Sequence, residues 1–128
     1  PTKPTGPTQG SYVRPAAVSG ANDEMTIARE EIFGPVLVML PYENEDQAVQ
    51  IANDTVYGLA GYVQAGDIEH GRDVASRIRA GQVALNYAPL DVTAPFGGYK
   101  QSGNGREWGE SAFHEFMEVK AVLGYGAA

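Results

Sequence analysis

An α/β fold, with a mainly parallel sheet and flanking helices, is what this sequence predicts, on three observations. Apolar runs of strand length recur, and Val36 to Leu40 is unbroken Val-Leu-Val-Met-Leu, the pattern of a strand covered on both faces. Segments with helical apolar spacing alternate with those runs, and strand–helix–strand order implies right-handed crossovers and parallel pairing. Gly and Pro, 16 and 8 in 128 residues, punctuate the boundaries and imply many turns rather than disorder.

The elements follow in order. Pro1 to Ser11 holds three Pro, two Gly and three Thr and reads as a loop or frayed end. Tyr12 to Val18 reads as a short strand that Pro15 confines to an edge or terminates. Pro41 stops the Val36–Leu40 strand. Asn44 is a good helix N-cap with Gln47 three residues later, close to a capping box, and Ala48, Val49, Ile51 and Ala52 then share one face. Tyr57-Gly58 closes that helix. Leu59 to Ala65 is the next strand, weakest at Gly61. Asp67 caps a second helix with Val74, Ala75 and Ile78 on one face; Arg77 and Arg79 suit the negative end of its dipole, and Gly81 is expected as its left-handed stop. Val83 to Asn86 is a short strand. Tyr87 to Gly105 is irregular, and loops of that length in a compact domain are functional or disordered. A last helix is expected from Gly109 to Met117, with Ala112, Phe113, Phe116 and Met117 on one side, and Glu118 to Leu123 as a final strand. No repeat, low-complexity tract or linker interrupts the chain, so it reads as one α/β unit.

Composition excludes several function classes. A length of 128 residues with 43% hydrophobic content suits a single domain with a core. A formal charge of −7 argues against nucleic-acid or anionic-membrane partners, which need clustered Lys and Arg. No apolar run approaches the roughly 18 residues of a membrane span and no signal-peptide pattern opens the chain, so the expected location is cytoplasmic. The absence of cysteine removes disulfides, thiolate metal sites and a cysteine nucleophile from these residues. His70 and His114 lack a second ligand at metal spacing, no Ser-His-acid triad assembles, and no metal site is expected.

Two stretches carry candidate chemistry. In Glu30-Glu31-Ile32-Phe33-Gly34-Pro35-Val36, Gly34-Pro35 imposes a turn, since a residue before Pro avoids the helical region. Glu31 and Phe33, two apart, would then lie on one side of an extended segment. A carboxylate beside an aromatic face can grip a sugar diol while the ring packs a base; equally, the carboxylates can be solvated and Phe33 part of the core. The second stretch is Pro95-Phe96-Gly97-Gly98-Tyr99-Lys100-Gln101-Ser102-Gly103-Asn104-Gly105-Arg106-Glu107. It lacks the Gly-Lys-Ser/Thr ending of a P-loop, and its glycine spacing misses the dinucleotide fingerprint, so a phosphate cradle is weakly supported. Phe96 suits either a binding-site wall or the core. Asn86 ends a strand where its side chain can pin loop backbone. Arg106 and Glu118 bracket the last helix and could tie the loop to the final strand as an ion pair.

Both stretches resemble the C-terminal part of the catalytic domain in NAD(P)-dependent aldehyde dehydrogenases, and the resemblance runs from about Gly10 to Val122. It implies that Glu31 and Phe33 contact the nicotinamide half of the cofactor, with the Glu on the ribose hydroxyls. Phe96 would line the substrate tunnel, and Asn86, Arg106 and Glu118 would be structural. Residues 118–124 would be an oligomerisation strand. The family's nucleophilic cysteine, its general-base glutamate and its dinucleotide-binding half lie upstream of this segment, so no catalytic residue is expected within it. The implied parent is an oxidoreductase that converts an aldehyde to a carboxylic acid with NAD or NADP, as a homo-oligomer. This chain alone is expected to be inactive and to bind neither cofactor tightly, and its first residue, Pro rather than Met, is what a segment of a longer polypeptide would show. Departures from the family pattern are Pro15-Ala16-Ala17-Val18, where it has Pro-Thr-Val, and a slightly shortened Tyr87–Ala94. Two alternatives remain: a non-catalytic interaction or oligomerisation module derived from that family, and a nucleotide-binding domain using the glycine-rich loop.

Overall fold

The computed structural model describes Gly6 and residues 10–126. Most of the expected loop Pro1 to Ser11 lies outside the described residues. The chain forms two compact units that divide between Thr55 and Val56, where the composition marks no linker. Each contains a parallel strand pair with a helix in the connection, so the α/β class holds in both.

The first unit runs β1 (Ala16–Val18), α1 (Thr26–Arg29), β2 (Val36–Val38) and α2 (Glu45–Asn53). β1 begins directly after Pro15, which has no N–H to give to a ladder. It pairs in parallel with β2, with Ala16 opposite Val36 and Val18 opposite Val38. Val36 and Val38 are half-buried while Leu37 is exposed, so β2 alternates instead of being covered on both faces as its apolar run predicts. Asn44 caps α2, its Oδ1 accepting the Gln47 N–H at 3.0 Å. The Gln47 Oε1 reaches back to the Glu43 N–H, one residue beyond the usual capping-box donor. Val49 of this helix and Ala21 are the buried hydrophobic residues among the described residues.

α1 is a single turn with no apolar periodicity to announce it and no side-chain cap. Arg29 at its end anchors it. The guanidinium donates to the Asp54 carbonyl at 2.6 Å, to the Asp54 carboxylate at 2.8 Å and to the Asp23 carbonyl. A neighbouring ion pair with Asp23 spans 3.3 Å. Asp54 is exposed and Arg29 half-buried, so the clamp works through its number of contacts rather than through one strong ion pair.

In the second unit, β3 (Ala60–Val63) and β4 (Gln82–Leu85) are parallel neighbours joined through α3 (Ile68–Arg77). Asp67 caps α3, accepting the Glu69 N–H at 3.1 Å. The helix meets the strand pair at buried Gly71, where an added Cβ would stand 3.2 Å from Ala65 and 3.6 Å from Leu85.

Three expectations change here. α3 ends at Arg77 with Ile78 already extended, so Arg79 lies outside it and Gly81 is not its left-handed stop. Gly81 is required for a different reason: the Gly97 carbonyl occupies the space that a Cβ would fill. The last helix is a 3-10 segment, Glu110–Phe116, with no side-chain cap; Phe113 and Phe116 are exposed, so no packed face selects the α form. Residues 118–122 form no strand and Leu123 enters a turn, although the sequence pattern marks Glu118 to Leu123 as one. Val119 is 99% exposed and Leu123 is 93% exposed, as expected of strand-forming residues with no ladder to join.

Candidate functional site

The candidate residues fall into two groups, one in each unit. In the first unit, the loop from α1 to β2 carries Glu31 and Phe33. Glu30 leaves the helix in an extended conformation, its N–H still bonded to the Thr26 carbonyl at 2.9 Å. Pro35 holds the residue before it away from the helical and left-handed regions. The reversal therefore falls one position earlier, on Phe33 at φ 55, and not on Gly34. The chain then enters β2 through the Val36 N–H to the Gly34 carbonyl at 2.7 Å and the Ala16 N–H to the Pro35 carbonyl at 2.9 Å.

This geometry corrects the picture of one extended segment with Glu31 and Phe33 on a common side, because a left-handed residue breaks the alternation. It also removes Phe33 from the core: its side chain is 92% exposed, and Glu31 is exposed beside it. An aromatic ring held in solvent by a strained backbone is unusual on both counts. Glu31 and Phe33 are thus an exposed carboxylate and an exposed aromatic ring carried on the same loop.

In the second unit, the glycine-rich loop folds back on itself around Phe96. Phe96 and Glu107 exchange backbone hydrogen bonds of 2.7 and 2.6 Å as an isolated antiparallel bridge. The Phe96 ring stacks on Trp108 with centroids 4.7 Å apart and planes 29° from parallel. Arg106 sits beneath the loop. Its Nη1 donates to the Gly98 carbonyl at 3.0 Å and the Gly105 carbonyl at 2.8 Å, and its guanidinium lies 5.3 Å from the Tyr99 ring centre. Glu118 is exposed, and among the described residues no ion pair joins it to Arg106.

The loop is moored to the rest of its unit chiefly at Gly58. The Gly58 carbonyl accepts from Gly81 at 3.0 Å and from Tyr99 at 2.8 Å, and its N–H donates to the Ser102 hydroxyl at 2.9 Å. Asn86, at φ 47 beyond the end of β4, makes a reciprocal pair with Ala65: its Oδ1 accepts the Ala65 N–H at 2.8 Å, and its Nδ2 donates to the Ala65 carbonyl at 2.9 Å. Farther along, the Asp91 carboxylate accepts from the Thr93 hydroxyl at 2.6 Å and the Thr93 N–H at 2.9 Å, which holds its pKa below the ordinary 3.8. A groove of about 560 Å³ runs along the Phe96–Trp108 stack, with Leu59, Ala112 and Phe116 among its lining.

Sequence reasoning missed Trp108 and Gly58. Trp108 is the sole tryptophan of the chain, and its ring contact crosses a bridge that no periodicity encodes. Gly58 reads as a helix terminator, whereas an added Cβ would meet the Arg79 carbonyl at 2.8 Å and Tyr99 at 3.0 Å. Among the described residues, no group of three His, Cys, Asp or Glu is placed to hold a metal ion, and no helix is long and apolar enough to cross a membrane.

Residues 2–122 match the model of the aldehyde dehydrogenase family. A curated relative, 3-succinoylsemialdehyde-pyridine dehydrogenase from a Pseudomonas species, is 58% identical over 123 residues, covering 96% of this chain and 26% of its own length. A mutant of aldehyde dehydrogenase C from Pseudomonas syringae, solved with NAD+ and octanal, superposes over the whole chain and 26% of its own, at 56% identity and a TM-score of 0.93. A Mycobacterium tuberculosis aldehyde dehydrogenase solved with NAD+ is 45% identical, covering 94% of this chain and 25% of its own, with a TM-score of 0.89. The chain thus spans about a quarter of the length of the relatives it matches.

Proposed function

The chain belongs to the aldehyde dehydrogenase family, and we propose that it is the C-terminal part of the catalytic domain of an enzyme that oxidises an aldehyde to a carboxylic acid with NAD(P)+. The observation that carries this reading is the likeness along its entire length to an enzyme solved with both a nicotinamide cofactor and an aldehyde. The exposed pair on the α1–β2 loop supports it chemically. Glu31 accepts hydrogen bonds from the two ribose hydroxyls on the nicotinamide side, each charge-assisted bond worth roughly 1.5–3 kcal/mol. Phe33 gives its exposed face to the nicotinamide, covering an apolar ring that otherwise stands in water. Bound NAD(P)+ supplies the hydride acceptor. The protein's part here is to hold the ring over the substrate carbon, where small misplacements lower the rate steeply.

Phe96 walls the substrate side and keeps water from the reacting carbon. Asn86 and Arg106 fix the backbone that carries this wall. The nucleophilic thiolate, the general base and the adenine-binding half come from parts of the enzyme outside these residues, since the chain has no cysteine. The 128 residues alone therefore form no NADH from any aldehyde, while the full-length protein does. Absorbance at 340 nm with each preparation tests this, and turnover by the 128-residue chain overturns the assignment of roles.

A second reading has its own observation. Val119, Val122, Leu123 and Tyr125 are exposed on a tail without a ladder. Residues 118–124 then become a strand on pairing with another subunit, and the protein is a homo-oligomer.

A further inference from the structure

The backbone ahead of Trp108 does not predict where its side chain goes. Phe96 and Glu107 face each other across their bridge, and alternation along an extended strand sends the following residue to the opposite side. Trp108 instead takes φ 62, and its indole returns to lie on the Phe96 ring. Left-handed backbone is unfavourable for an aromatic residue and persists where the surroundings over-determine it. Both neighbours do so here. Glu107 is held by the two bridge hydrogen bonds. Gly109 is held at φ 56 by its N–H to the Val92 carbonyl at 3.3 Å, and the Thr93 carbonyl fills the space of any Cβ it could carry.

We infer that Trp108 is a positioning residue that locks the Phe96 ring in one orientation and thereby favours aldehydes carrying an aromatic ring or a long alkyl chain. This rests on the aldehyde dehydrogenase reading. A phenylalanine on a glycine-rich loop, half-buried and without a partner ring, samples several rotamers; the stack selects one and presents a fixed flat face. A substrate ring or chain gains contact from a face that is already in place, because no side-chain freedom is lost on binding. A two-carbon aldehyde is too short to use it.

The test compares KM for phenylacetaldehyde and acetaldehyde in the full-length protein. Trp108→Ala and Trp108→Gly raise the phenylacetaldehyde-to-acetaldehyde KM ratio by about 2- to 10-fold, the range that an aromatic pair supplies. Trp108→Phe restores the ratio to within about twofold of wild type, since it keeps a ring. Glycine tolerates φ 62 better than alanine, so Trp108→Gly melts above Trp108→Ala while sharing its KM ratio. A KM ratio unchanged in both variants of an active protein, or one that follows the melting temperature, overturns the inference. A full-length wild-type protein that forms no NADH from any aldehyde refutes the enzyme reading, and this role with it, whereas one that oxidises acetaldehyde but not phenylacetaldehyde overturns this role alone.

Discussion

Asn86 offers the sharpest test of how the second unit holds its irregular loop. Replacing it with alanine removes both hydrogen bonds to Ala65, of 2.8 and 2.9 Å. Asn86 is exposed, so water competes for those groups and each bond is worth only about 0.5–1 kcal/mol net. The backbone adds a second effect. At φ 47 asparagine is among the better-tolerated residues, and alanine costs about 1 kcal/mol more. Asn86→Ala therefore destabilises by about 2–3 kcal/mol, while Asn86→Gly loses the same bonds without the backbone cost and destabilises by about 1–2 kcal/mol. Asn86→Asp keeps the acceptor for the Ala65 N–H and loses only the donor, and falls near about 1 kcal/mol. Urea unfolding followed by far-ultraviolet ellipticity, with amide exchange at Ala65, measures both parts. The expected order of midpoints is wild type, then Asp, then Gly, then Ala. Equal midpoints for the Ala and Gly variants would remove the backbone contribution. Wild-type protection of the Ala65 amide in Asn86→Ala would remove the hydrogen bond.

Three further outcomes follow from the same unit. Arg106→Ala removes two hydrogen bonds to loop carbonyls and the contact with Tyr99, for a destabilisation of about 2–4 kcal/mol, and lysine recovers less than half because it lacks the planar fork. Glu118→Lys, in contrast, changes the stability of the 128-residue chain by less than about 0.5 kcal/mol, because Glu118 is exposed and Arg106 spends its bonds elsewhere; a loss comparable to Arg106→Ala refutes this. Thr93→Val removes the hydroxyl donor and moves the Asp91 pKa up toward 3.8, read by carboxyl chemical shifts. The Asp91 pKa is depressed in the folded state, so its stabilising contribution is present above pH 3.8 and is lost as the pH falls through the lower folded value. An Asp91 titration that Thr93→Val leaves in place refutes the role of the hydroxyl.

The parts of the fold legible in the sequence are those settled within a few residues. Asn44 and Asp67 cap their helices because a short acceptor at that position meets the free N–H groups two or three residues on. The strand pairs are legible from apolar runs bounded by Pro and Gly. What was not legible depends on partners distant in sequence. Gly81 resembles a helix stop until the Gly97 carbonyl is seen against it. The left-handed residue at the Gly34-Pro35 turn falls on Phe33, since proline constrains its predecessor and passes the reversal back one step. Residues 118–124 have the composition of a strand, yet a strand exists only with a ladder to join. In the candidate site, Glu31, Phe33 and Phe96 stand out in the sequence by residue type and spacing, while Trp108 and Gly58 emerge only from the path of the folded loop.

The strained residues and the exposed apolar residues are connected. Left-handed backbone occurs at Phe33, Tyr87 and Trp108, three aromatic residues for which it is costly, and all three lie in loops rather than in the paired strands. At Trp108 the balance is visible, because the Phe96 stack and the bridge compensate within the chain. At Phe33 and Tyr87 it is not: both rings are about nine-tenths exposed, so the backbone cost is unmatched by burial. Burying a side chain of that size contributes about 1.5–3 kcal/mol, enough to offset a strain of about 1–3 kcal/mol. The missing compensation therefore has the magnitude that a covering surface would supply. A nicotinamide ring or further polypeptide over Phe33, and further polypeptide over Tyr87, would each close the balance. A free-standing interaction module would have to carry both costs uncovered whenever its partner is absent. Energetically, the catalytic-domain reading is the more economical of the two.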